Sequence, residues 1–115
     1  MIEPSNEVSA AISRRAAERL ASIDADLPAA TERLLQGAPR RRSLDAGNAI
    51  ALASMLVSLV QFGWTVYQDQ MRQKEKAEAR DSLVQRLRDR IETDGHLPPA
   101  QRDLIAEVVA EEILG

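Results

Sequence analysis

Apolar positions recur at helical spacing along most of the chain. Val8, Ile12, Ala16, Leu20, Ile23 and Leu27 follow steps of three and four, the period that gathers side chains on one face of an α-helix. Arg14, Glu18 and Arg19 fall on the opposite face. Ser5 or Asn6 is placed to cap the start, since a short side-chain oxygen there can accept from a free backbone N–H. Asp26-Leu27-Pro28 then reads as a restart, because proline is tolerated in the first turn of a helix and not in its interior. This second, short helix, through Glu32, Leu34 and Leu35, is expected to stop at Gly37, with Pro39 beyond it.

The pattern changes at residue 46. From Ala46 to Gln68 there is no charge for 23 residues, with Asp45 and Asp69 at the borders. As a helix this span would measure roughly 35 Å, against a bilayer hydrocarbon core of roughly 30 Å. The length favours a single transmembrane helix. The content is weaker, because Ala, Ser, Thr, Gln and Gly dilute the hydropathy. The alternative is a helix buried among other helices of a soluble protein.

Within this span, Gly47, Ala51, Ser54, Ser58, Gln61 and Thr65 follow steps of 4, 3, 4, 3, 4, and Gln68 and Arg72 extend the series. An unbroken heptad seam of small and polar residues lets a second helix approach closely and hydrogen-bond across the seam. It predicts parallel self-association, or in a sharper variant the lining of a small oligomeric pore. A soluble helix with a thin polar face toward water fits the same spacing. Phe62, Trp64 and Tyr67 are all the aromatic residues of the chain and cluster at the C-terminal end of the apolar run. That placement fits a membrane–water interface, where an apolar ring and a polar edge are both satisfied; it also fits an aromatic anchor in a soluble core. Basic residues flank both ends, Arg40, Arg41 and Arg42 on one side and Arg72, Lys74, Lys76 and Arg80 on the other. The near-symmetry leaves the orientation open and argues against spanning, because the positive-inside rule needs a bias.

Beyond the span, Ala77, Leu83, Val84, Leu87 and Ile91 mark a charged helix to Asp94, with no break expected from the apolar helix, so that the two would form one rod. Leu97-Pro98-Pro99 opens a last helix with Leu104, Ile105, Val108, Val109 and Ile113 on one side. Residues 70–90 carry a net charge of +3 and residues 91–115 one of −5. A turn at 94–98 would therefore fold the acidic helix onto the basic one, burying Leu83, Leu87 and Ile91 against Leu104, Val108 and Val109. The expected fold is all-α: short N-terminal helices, a long central helix and a C-terminal helical hairpin. The segments are 1–43 (soluble, ending in a basic linker), 44–69 (transmembrane) and 70–115 (charged hairpin).

Composition narrows the function by exclusion. Absence of Cys removes thiol chemistry and disulfides, and the single His, at 96, removes imidazole clusters. No nucleophile–base pair, phosphate loop or metal-ligand spacing can be named, so neither catalysis nor a cofactor is expected. A net charge of −3 argues against nucleic acid as a partner despite the Arg40–Arg42 run. Arginine outnumbers lysine, and alanine is abundant, as in GC-rich bacterial genomes. The reading that follows is a non-catalytic, single-pass protein of a bacterial inner membrane, with the lipid bilayer, further copies of itself and a protein as its partners. It would act as a self-associating anchor or scaffold. The alternative is a soluble, oligomeric α-helical adaptor with residues 46–68 in a helix–helix core.

Overall fold

A computed structural model describes residues 4–36, 47–94 and 97–115, and every regular element among them is helical. The chain divides into two compact units, Met1–Ser58 and Leu59–Gly115. The boundary falls inside the uncharged span.

In the first unit, helix α1 (Pro4–Arg19) runs into a 3-10 turn (Leu20–Ser22), and α2 (Leu27–Leu35) follows. Because α1 already begins at Pro4, Ser5 and Asn6 lie inside the helix and not at its cap. Proline again occupies the first turn of α2, where its missing N–H costs nothing. The expected stop at Gly37 lies outside the described residues. The buried face of α1 consists of Ser9, Ile12, Ser13, Ala16, Ala17 and Leu20. It is rotated from the expected stripe, so Val8 is 38% exposed. Small residues cause the shift: Ser9, Ser13 and Ala17 let the α1 backbone come close to its cover, and the Ser13 hydroxyl donates to the Ser9 carbonyl at 2.8 Å. Across α1 and α2, the Arg14 guanidinium meets the Glu32 carboxylate through two bonds, of 2.7 and 3.1 Å.

Helix α3 (Gly47–Val66) continues as a π-helical turn (Tyr67–Met71). The expected rod does not form. The chain reverses over residues 72–75, α4 (Lys76–Asp94) starts afresh, and α5 (Pro99–Leu114) returns along it. No glycine or proline dictates the reversal. It occurs because α4 carries an apolar stripe, Ala79, Leu83, Leu87 and Ile91, that is at most 1% exposed once folded back. Burying such a stripe outweighs the small propensity gain of four more helical residues.

The predicted C-terminal hairpin is present, and Ile105, Val108, Val109 and Ile113 supply the α5 side of its core. Leu104 does not; it is 40% exposed. Five apolar positions within six residues, 104–106 and 108–109, exceed one helix face, and Leu104 is the one left outside. Charged residues frame the seam. Arg80 reaches Glu111 at 2.8 Å and Glu107 at 3.5 Å. Arg88 Nε lies 3.0 Å from Asp103, in ion-pair range though off the hydrogen-bond direction, and Arg102 pairs with Glu92. The opposite net charges of the two helices are thus matched rung by rung. Exposed pairs of this kind are worth about 0–1 kcal/mol each and chiefly fix register.

Candidate functional site: the uncharged helix and its surroundings

One helix among the described residues, Ala49–Met71 with its π turn, is long and apolar enough to cross a membrane, and 44% of its most apolar window is buried within the chain. Where each of its residues sits decides what it can do.

In the second unit, Leu59, Val60, Gly63 and Val66 face inward. Gly63 is the closest point. A Cβ built there would lie 2.7 Å from Ile113 Cδ1, 3.3 Å from Leu87 Cδ2 and 3.8 Å from Leu83 Cδ1. Both helices of the hairpin therefore converge on one glycine of the uncharged span. The lack of a side chain at Gly63 permits the approach, not any special backbone angle. Around this contact, the Arg90 guanidinium sits over the Phe62 ring at 5.1 Å, and Arg86 donates to the Gln70 amide oxygen at 2.7 Å. Residues 59–71, α4 and α5 form a three-helix arrangement, with the first two antiparallel.

The aromatic residues lie on the flanks of this arrangement. Trp64 and Tyr67 stack with ring centroids 5.9 Å apart at 30°. All three rings are half-buried. Phe62 is partnered by a cation from the charged helix, an attraction that is stronger where water is partly excluded.

The small and polar seam occupies the outer face of α3. Ala51, Gln61 and Thr65 are exposed, while Ser54 and Ser58 are half-buried. Gly47 is the first residue of α3. The opposite face holds Ala49, Ala53, Leu56, Val57, Leu59 and Val60, each at most 8% exposed. Within each unit, the described seam positions are thus less buried than these. Arg40, Arg41, Arg42 and His96 lie outside the described residues. Arg72 and Lys74 are exposed in the reversal, Lys74 lying 4.0 Å from Glu78. Lys76 begins α4, and its ammonium donates to the Gly115 carbonyl at 3.2 Å.

Gly63 was not among the expected site residues. Its signal was available: it is the one glycine in the apolar run after Gly47, and a glycine within a helix often marks close backbone approach. Ion pairing shifts the titration of Arg14, Glu32 and Arg80. Hydrogen bonding to Glu111 raises the Arg80 pKa further. Hydrogen bonds from Arg14 and then Gln36 hold the Glu32 carboxyl below its ordinary range. No group of three or more His, Cys, Asp or Glu suited to a metal ion occurs among the described residues. No protein family matches the chain, and no curated protein or solved structure is significantly similar to it.

Proposed function

We propose that the chain is a non-catalytic, soluble α-helical adaptor, with the uncharged helix as a core element and its small-residue face offered to a partner helix. The contact of Gly63 with Ile113, Leu87 and Leu83 carries this reading. Residues 59–66 share a core with α4, and α4 is charged along its outer faces. Placing Arg, Lys or Asp at the bilayer centre costs about 2.5–3.5 kcal/mol per residue on insertion scales. If α4 stays in water, so does the half of the span packed on it. Only residues 47–58 then lie outside that shared core, and Ala49, Ala53, Leu56 and Val57 among them are themselves buried. Twelve helical residues rise about 18 Å, well short of the roughly 30 Å needed.

The outer face of α3 supports the adaptor role. Side chains no larger than Ser at residues 51, 54 and 58 let a second helix approach, and Gln61 and Thr65 supply hydrogen-bonding groups to it. A second reading, the single-pass anchor, is favoured by the length and apolarity of Ala49–Met71; it requires the Gly63 contact to open.

Substitution of Gln61→Arg separates the two. The side chain is exposed, so the variant should melt within about 0.5 kcal/mol of the parent chain, as for ordinary surface substitutions. A chain that depended on spanning would lose membrane recovery on gaining an arginine near mid-span. That loss, in fractionation of cells expressing the variant beside the parent, would overturn the adaptor reading.

A further inference from the structure

We propose that the α4–α5 hairpin is an exchangeable unit: a second copy of the chain takes it up in a domain-swapped dimer, with the reversal at residues 72–75 as the hinge. This goes beyond the adaptor role and rests on three observations in the second unit.

The hinge is made of residues that prefer to be helical. From Trp64 to Asp94 the sequence contains neither glycine nor proline, and Met71-Arg72-Gln73-Lys74-Glu75 are all strong helix formers. The turn itself holds one backbone bond, from Lys74 N–H to the Met71 carbonyl at 3.1 Å, after a π-helical turn at Tyr67–Met71. A π turn is a rare and poorly favoured helical form. Local preference and tertiary fold disagree here, so packing, not turn chemistry, holds the chain reversed.

The hairpin, by contrast, carries its own fastenings. The Arg80 pairs with Glu107 and Glu111, the Arg88–Asp103 pair and the Arg102–Glu92 pair all join α4 to α5. These survive any movement at residues 72–75.

A separate set of contacts holds the hairpin to residues 59–71: Gly63 against Ile113, Leu87 and Leu83, Phe62 beneath Arg90, and Gln70 bonded to Arg86. Opening the hinge in one copy uncovers Leu83 and Leu87, which are fully buried when closed. An open single chain is therefore disfavoured. A second open copy offers the same glycine, ring and amide, and every one of these contacts re-forms between chains. The exchange changes only the hinge, which gains helix as it joins α3 to α4. Exchange of identical elements is a low-cost route to a dimer for this reason.

The chain has no cysteine, so engineered thiols report unambiguously. Gln70→Cys and Arg86→Cys, both at exposed positions, are made as separate full-length chains. They are mixed, unfolded, refolded together at high concentration and treated with a flexible bis-maleimide that spans the reach of the Arg86–Gln70 pair. Exchange brings the thiol at position 70 of one copy within that reach of the thiol at position 86 of the other. The expected result is a cross-linked heterodimer in the mixture, in clear excess over any linked species from either variant alone. Lys76→Pro, added to both chains, should remove it. Proline fits the first residue of α4, whose N–H needs no helical partner, but cannot continue a helix from α3. A linked species no more abundant in the mixture than in the separate variants would overturn the proposal, as would one that Lys76→Pro leaves unchanged. Light scattering on the cysteine-free chain after concentrated refolding guards against misfolded variants. It should show a dimer that Lys76→Pro abolishes; an exclusively monomeric chain contradicts the exchange.

Discussion

Gly63 concentrates the distinction between a lipid-facing and a protein-facing helix in one residue. Valine at this position would improve an isolated transmembrane segment. In the folded chain its side chain would intrude on Ile113 and Leu87. Ile113 Cδ1 is the end of a flexible side chain and can yield to a single methyl, but not to a branched group that also presses on Leu87. Gly63→Val should therefore destabilise the chain by about 1–3 kcal/mol, the usual cost of overpacking a core, read from denaturant unfolding. Thr31 makes the opposite case. Its hydroxyl is fully buried and has no hydrogen-bond partner among the described residues, so Thr31→Val should raise stability by about 1 kcal/mol by removing an unpaired polar group. The burial of Thr31 was not legible in the sequence, and Gly63 marked a close approach without naming what approaches. The span's uncharged character announced burial of some kind, but lipid and protein impose the same apolar demand. The choice between them lies in contacts 20 and 50 residues away, with Leu83 and Ile113.

At the level of elements, periodicity was informative wherever a stripe was one residue wide and unambiguous. The α4–α5 hairpin followed from opposite net charges and from Leu83, Leu87 and Ile91 spaced by four. The restart at Pro28 followed from proline's fixed geometry. What could not be read was the reversal after Met71, because it opposes the helix preference of every residue in it. The position of Leu104 was equally hidden: with apolar residues at 104–106 and 108–109, several faces of α5 compete for burial and the partner helix chooses. Ion pairing between elements carries a pH signature. Hydrogen bonds from Arg14, and secondarily from Gln36, depress the folded Glu32 pKa. The α1–α2 pair thus contributes stability above the ordinary carboxyl value, and that contribution disappears as pH falls through the lowered value in the folded state. A carboxyl-carbon NMR titration should find Glu32 below the ordinary carboxyl value, and Arg14→Gln should raise it toward that value. A Glu32 midpoint unmoved by that substitution would rule out Arg14 as the cause.

For the molecule as a whole, the issue is whether residues 59–66 keep company with α4 and α5 or with lipid. The same eight residues cannot do both, since the hairpin that covers them is charged on its outer faces. In the function proposed above, the heptad seam and the aromatic cluster belong to a helix with one face in a protein core and the other offered to a partner. The most direct test is alkaline-carbonate extraction of membranes from cells expressing the full chain, followed by detergent. Recovery in the soluble or carbonate-released fraction is expected. Retention in the pellet until detergent is added would contradict the core placement of the uncharged helix and restore the single-pass anchor.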